Sequence, residues 1–128
     1  RNALYAADQA LVITEPSFFA VQSAAQSIES IEVARAAGHT DLKLLGILAT
    51  RVRPRFAEHR YRLRELNEAF GDVVLPPIPD RTAIQQAQGS CVPVQRWRSQ
   101  SAKAASAAFD ELLDLALAQG TTAPSEKR

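Results

Sequence analysis

Apolar residues along the chain fall into two kinds of pattern. VVLPPIP (73–79) reads as a short strand running into a proline-rich turn, and two longer runs are nearly continuous: ALVIT (10–14) and LKLLGILAT (42–50). Such a run suits a strand covered on both faces, as in a parallel sheet, because alternation disappears when neither face meets water. Between the runs, apolar positions return every three or four residues, the period of a helix with one buried stripe. Val21, Ala24, Ile28 and Ile31 form one stripe. Phe56, Leu63, Leu66 and Phe70 form a second, on a helix over 56–70. Ala102, Ala105, Phe109, Leu112, Leu113 and Ala116 form a third, on a helix over 99–118.

The punctuation agrees with this reading. Residues 2–7 look like the last turns of a helix, closed by Asp8. Pro16 and Ser17 are good helix openers, and Gly38 and Gly71 stand where helices stop in a left-handed cap. Ser99 is placed to cap the last helix. A short helix over 82–88 follows Asp80, and GSCVPV forms a loop or edge segment. Gly46, in the middle of a buried run, predicts the close approach of a neighbouring backbone. Strands alternating with helices give an α/β fold with a mainly parallel sheet, whose right-handed crossovers put helices on both faces.

At 128 residues, with 46% hydrophobic and 23% charged residues, the chain has the composition of an ordinary globular domain. The expected folded unit is 1–118, with 119–128 a flexible polar tail ending in TTAPSEKR. No apolar run approaches the roughly 18–20 residues that span a bilayer. The N-terminus lacks the charged-then-apolar order of a secretion signal. The single cysteine, Cys91, has no partner for an internal disulfide and is expected to be a buried or half-buried structural thiol, compatible with a reducing cytoplasm. The chain starts at Arg1, contains no methionine, and opens in mid-helix with RNALYAAD, so a fragment of a longer protein is expected.

Charge changes the picture at one place. RVRPRFAEHRYRLREL (51–66) holds six arginines, although the net charge of the chain is only +1. Arg60, Arg62 and Arg64 flank the buried stripe of the 56–70 helix, with Glu58, Glu65 and Glu68 on its outer face and Arg64–Glu68 at pairing distance in sequence. Arg51, Arg53 and Arg55 instead follow the C-terminal end of a buried strand, the edge of an open α/β sheet where ligands bind. Few acids lie between them in the sequence, so an anion or solvent must offset their repulsion. Phosphate or nucleic-acid contact is the functional reading, and a weak, salt-dependent, sequence-tolerant mode fits a local patch on a near-neutral chain.

Other chemistry is sparse. None of the five glycines stands in a GxxxxGK[ST] phosphate loop. His39 and His59 lack any metal-ligand spacing and read as surface or structural residues. The acids at Glu29, Glu32, Asp110, Glu111 and Asp114 lie among polar residues on helix faces. No catalytic constellation emerges.

Several phrases taken together resemble one family. NALYAADQALVITEPSFFAVQS resembles the segment after the second acidic nucleotide motif of ParA-type partition ATPases, the deviant Walker P-loop class that includes MinD. LKLLGILATRVRPR resembles that family's glycine-containing strand and variable loop. LPPIPDRTAIQQAQGSCVPV and SAKAASAAFDELLDLAL resemble its later loop and closing helix. The resemblance implies a C-terminal part of a ParA-like ATPase for chromosome or plasmid partitioning, within a doubly wound P-loop NTPase-like sheet. The intact protein is then expected to use ATP and Mg²⁺ and to form a homodimer. Its further expected partners are non-specific DNA and a ParB-type centromere-binding protein, in the cytoplasm at the nucleoid.

The resemblance also implies roles by residue. Thr50, Arg51, Pro79 and Asp80 match the positions around the nucleotide base. Arg53, Arg55, Arg60, Arg81, Arg96 and Arg98 carry the expectation of DNA contact. Without the P-loop, this chain is expected to be inactive alone and to hold no cofactor tightly. Two alternatives stand beside it. One is a MinD-like positioning ATPase, disfavoured because GTTAPSEKR lacks the bulky apolar residues of a membrane helix. The other is a non-catalytic DNA- or partner-binding module.

Overall fold

A computed structural model describes residues 2–120. Its elements run α1 (Asn2–Ala6), β1 (Gln9–Thr14), α2 (Ala20–Ala36), β2 (Lys43–Ala49), α3 (Ala57–Phe70), α4 (Thr82–Gly89) and α5 (Gln100–Gly120), with short 3-10 turns at Gly71–Val73 and Val94–Arg96. The expected tail residues 121–128 lie outside the described residues. Residues 119 and 120, also expected in the tail, belong to α5.

β1 and β2 pair in parallel, Gln9 opposite Lys43 and Thr14 opposite Ala49. The register slips between Ala10 and Leu11, so Leu45 bulges out of β2 and Gly46 takes φ +152° beside it. A methyl group at Gly46 would lie 2.7 Å from Leu75 Cγ and 2.8 Å from the Val73 carbonyl oxygen. The expected close approach is therefore that of the 73–75 backbone.

The third segment, expected as a short strand running into a proline-rich turn, is joined to β2 and the loop after it at only two points. Leu75 donates its N–H to Ile47 at 2.8 Å, and Ile78 donates to Ala49 at 2.9 Å. Between them stand Pro76 and Pro77, which have no N–H to donate. The ladder skips a residue there and survives as two isolated bridges, Ile47 with Val74 and Val52 with Pro79.

Five consecutive residues of β2, Leu45 to Ala49, are buried, which requires cover on both faces. On one face, Ile47 and Ala49 join Val12, Ala20, Ala24, Ile31, Ala34 and Leu66 of β1, α2 and α3 in a single core cluster. Burial of a full-sized apolar side chain such as Ile47 or Leu66 contributes about 1.5–3 kcal/mol. Outside that cluster, Leu48, Ile78, Ala83, Ala87, Ala102 and Ala105 are buried with α4 and α5. β1 is less covered than its sequence predicts: Val12 faces the core, but Ile13 is 63% exposed, because β2 is its one neighbour in the described sheet.

Helix ends follow local chemistry. After α2, His39 N–H reaches the Ala34 carbonyl and Gly38 N–H that of Arg35, a Schellman cap with Gly38 at φ +110°. Gly71, at φ +57°, closes α3. Ser99 Oγ accepts the Ala102 N–H at 3.0 Å, the expected cap of α5. Pro16 and Ser17 do not open α2 directly; a turn in which Ala20 N–H bonds Ser17 carbonyl comes first, and the helix starts at Ala20. Phe56 and Leu113, expected in buried stripes, are 50% and 55% exposed. Phe56 precedes the first turn of α3, outside the helical phase that would turn it inward. No helix among the described residues is long and apolar enough to cross a membrane.

Candidate functional site

The C-terminal ends of β1, β2 and the 74–79 segment lie side by side because all three run parallel. Thr50 N–H bonds the Thr14 carbonyl at 2.9 Å, Val52 N–H bonds Ile78, and Asp80 N–H bonds Val52 at 2.8 Å. The four expected base-site residues, Thr50, Arg51, Pro79 and Asp80, are thereby brought onto adjacent segments. A cleft of about 200 Å³ opens there, lined by Glu15, Pro16 and Ser17 after β1, Arg51 and Arg53 after β2, His59 from α3, and Asp80. Thr50 and Pro79 lie in the backbone beneath it and do not line it.

Each arginine of this cleft already has a carboxylate. Arg51 Nη1 donates to Glu15 at 3.2 Å, and Arg53 Nε donates to Asp80 at 2.7 Å. The repulsion expected among these arginines is therefore offset by acids from neighbouring segments. Both pairs are partly exposed, so each contributes roughly 0.2–1 kcal/mol. Arg51 takes φ +56°, a left-handed conformation that costs a non-glycine residue about 1–3 kcal/mol and that clusters at ligand sites. His59 Nδ1 accepts the Arg53 N–H at 3.0 Å, which places the imidazole proton on Nε2 and ties α3 to the loop. Arg53 also lies over the Phe56 ring, 5.4 Å from its centroid.

The remaining arginines of 51–66 are largely engaged as well. Arg60 donates to the Pro54 carbonyl at 2.9 Å and closes the loop. Arg62, with a side chain only 14% exposed, donates to Glu58 at 2.7 Å and Glu65 at 2.8 Å, and lies over the rings of Phe18 and Tyr61. Its pKa is raised, first by the hydrogen bond to Glu65 and then by that to Glu58. A raised value adds stability below the unfolded pKa and loses it on rising through the folded one; for an arginine both lie far above physiological pH, so this pair is no physiological pH switch. Arg64 lies over Tyr61, 5.9 Å from the ring centroid, in place of the expected pairing with Glu68. Arg55 alone in the run has no partner among the described residues.

Arg96 and Arg98 stand apart from all of these. They line a broad, open cleft of about 770 Å³ with Gln95, Trp97, Ser99, Gln100 and Lys103, at the start of α5. No carboxylate lines it. Arg81, at the start of α4, is exposed and belongs to neither cleft.

The remaining candidates resolve simply. His39 Nε2 donates to the Ala7 carbonyl at 2.8 Å, a structural role. Cys91 is exposed rather than half-buried, at φ +54°. It holds the left-handed position of a second Schellman cap, in which Val92 N–H bonds Ala87 and Cys91 N–H bonds Gln88. No group of three or more His, Cys, Asp or Glu among the described residues is arranged to hold a metal ion.

Sequence reasoning did not include Glu15, Ser17 or His59 in the first cleft, nor Trp97 or Lys103 in the second. Glu15 could have been found by parallel register, since it follows β1 as Arg51 follows β2. Lys103 lies one helical turn beyond Ser99.

No family model matches the chain. Two uncharacterised proteins of Mycobacterium tuberculosis strains are 29% identical over 104 residues, covering 80% of this chain and 33% of their own length. The chain thus spans about a third of the curated relatives it matches. Among solved structures, an ATP complex of an McdA variant from Cyanothece superposes with a TM-score of 0.71 and 16% identity, covering 96% of this chain and 47% of that one. Cobyrinic acid a,c-diamide synthase of Mycobacterium smegmatis, with bound ADP and magnesium, gives 0.64 and 25%, covering 99% and 46%. The fold is that of the P-loop NTPase-like structures of the ParA/MinD class, and the chain covers a little under half of each.

Proposed function

We propose that this chain is the C-terminal part of a ParA-like ATPase serving chromosome or plasmid partitioning. In that protein the strand-end cleft forms the base-side wall of the nucleotide site. The observation that carries this reading is the cleft itself: Arg51 held at a left-handed φ beside Asp80, where parallel strands end. At about 200 Å³ it is smaller than the roughly 300–1,000 Å³ of a complete ligand pocket, and suits a base edge rather than a whole nucleotide. The ATP phosphates and Mg²⁺ would be held by residues outside this chain, which has no glycine-rich phosphate loop. Thr50, Arg51, Pro79 and Asp80 would flank the base.

The nucleic-acid surface of the proposed protein rests first on Arg55, Arg81, Arg96 and Arg98, whose charges are not engaged by acids among the described residues. Arg53 and Arg60 would join it only by exchanging their present partners. A homodimer bridging DNA and a ParB-type centromere-binding protein that stimulates hydrolysis complete the proposal. Localisation at the nucleoid would follow from DNA binding.

The test is photolabelling of the longer protein with an azido-adenine analogue of ATP. Label on peptides containing residues 50–51 and 79–80, lost in Asp80→Ala, is the expected result; label confined to other peptides overturns the base-wall assignment. A second reading is an ATP-dependent synthase acting on a carboxylic acid. The acid would be the one that cobyrinic acid a,c-diamide synthase is named for, a large polycarboxylic acid. The reading draws on the 25% identity to that enzyme, higher than the 16% to McdA. ATP turnover stimulated by cobyrinic acid and indifferent to DNA would favour it.

A further inference from the structure

Trp97 is the one tryptophan of the chain, and it stands half-buried in the open cleft at the start of α5. Arg96, Arg98 and Lys103, all exposed, line the same cleft. None of the three has an acidic partner among the described residues. A concave surface with three cations and no carboxylate focuses positive potential and attracts phosphates. Phosphates alone, however, give no reason for an indole among the cations.

The loop is built to hold these side chains in place. A 3-10 turn over Val94–Arg96 leads into it, with Arg96 N–H bonded to Pro93 and Trp97 N–H to Val94. Ser99 N–H bonds the Trp97 carbonyl at 3.1 Å, while Ser99 Oγ caps α5. Lys103 is fixed one turn into α5 by its N–H bond to the Ser99 carbonyl. The 21-residue helix that begins here adds the positive end of its dipole to the three side-chain charges. A second cleft of about 200 Å³ shares Gln95, Trp97 and Lys103 and includes Asp110, so the acid-free character belongs to the larger one.

Cations that track a backbone, interleaved with an aromatic ring on which a base can stack, are the two components of a single-strand site. Duplex bases are stacked on each other and cannot reach an indole. We infer that this cleft binds single-stranded nucleic acid, one base stacked on Trp97 and the flanking phosphates on Arg96, Arg98 and Lys103. The inference deepens the nucleic-acid part of the proposed function and rests on it, but needs nothing from the strand-end cleft.

The experiment titrates the full chain with a thymidine oligonucleotide of about a dozen nucleotides, within the usual single-strand site size. A hairpin duplex and thymidine monophosphate serve as the other arms. Trp97 fluorescence and the anisotropy of labelled oligonucleotide are read at several salt concentrations. The oligonucleotide should quench Trp97 saturably, while the duplex binds without quenching. Trp97→Ala should lower oligonucleotide affinity by about 5- to 150-fold, the equivalent of one stacked base, and leave duplex affinity unchanged. Trp97→Phe, which keeps a ring in the core of the loop, should retain most of the binding. Arg96→Ala with Arg98→Ala should flatten the log–log salt slope for the single strand by about 1.4.

Oligonucleotide binding without quenching, and unchanged in Trp97→Ala, overturns the stacking site and leaves a plain polyanion surface. Equal quenching by thymidine monophosphate at matched concentration overturns it in favour of a mononucleotide pocket. Duplex binding with no oligonucleotide binding overturns this inference alone. Loss of binding in every arm overturns the nucleic-acid part of the proposed function as well.

Discussion

Two clefts of this molecule carry arginines, and they differ in what surrounds the charge. At the strand ends, Arg51 and Arg53 come from the densest basic stretch of the sequence, yet Glu15 and Asp80 reach them across the parallel register. At the start of α5, Arg96 and Arg98 come from a stretch with no basic run, yet no acid lines their cleft and a tryptophan does. Charge density along a chain and potential in space are therefore different quantities. A cation contributes to anion binding only to the extent that the fold leaves it unpaired, and the fold pairs residues 36 and 27 positions apart as readily as neighbours.

The largest expected effect comes from breaking the scaffold of the first cleft. Gly46→Ala puts a methyl group into the Val73 carbonyl and the Leu75 side chain at a strained φ. It should cost about 3–5 kcal/mol by overpacking and backbone strain. Urea denaturation reads this directly; a loss below about 1 kcal/mol would mean that the 73–80 segment does not need that close approach.

Next is the contrast of charges. Removing Arg96, Arg98 and Lys103 together should lower the log–log salt slope for duplex DNA by about 2.7, at roughly 0.9 per phosphate contact. Removing Arg51, Arg53 and Arg60 together should lower it by less than about 1, since those cations already have partners. Equal falls would erase the distinction between the clefts.

A smaller change should reverse the first cleft's character. Asp80→Asn frees the Arg53 guanidinium, costing about 0.2–1 kcal/mol of stability as an exposed pair is lost. Polyanion affinity should rise a few-fold with a steeper salt dependence. An unchanged affinity would show that Asp80 does not mask Arg53.

The smallest effect on DNA binding, none, is expected of a control that touches neither cleft. Cys91→Gly places glycine at the left-handed cap position after α4, where any other residue is penalised by about 1–2 kcal/mol, partly offset by the greater freedom of glycine in the unfolded chain. A net gain of about 0.5–1 kcal/mol should raise the melting temperature by a few degrees, measured calorimetrically, with both DNA slopes unmoved.

What could be read from sequence was whatever depends on near neighbours. β2 declared itself by its unbroken apolar run, Gly46 by interrupting that run, and the ends of α2 and α5 by Gly38 and Ser99. The third strand was legible as a short one for the same local reason: Pro76 and Pro77 lack the N–H groups that continue a ladder. Ile13 misread because burial on both faces depends on what lies beside and above β1, which its own six residues do not encode. The cleft's ion pairs were hidden for the same reason: Glu15 and Asp80 are remote in sequence and adjacent only once parallel register is known. Trp97 and Lys103 gave no periodic or motif signal and become a site only where the 3-10 turn and the Ser99 cap set them side by side.

The proline pair at 76–77 also sets a direction of growth. A sheet enlarges by strand addition wherever an edge offers a regular row of donors and acceptors, and unguarded edges are where chains stick to one another. On the side of the 74–79 segment that row is broken by two consecutive residues without N–H groups. β1, by contrast, presents an uninterrupted six-residue edge beyond its pairing with β2. Among the described residues, the edge suited to strand addition is therefore that of β1, and the proline side is guarded against it.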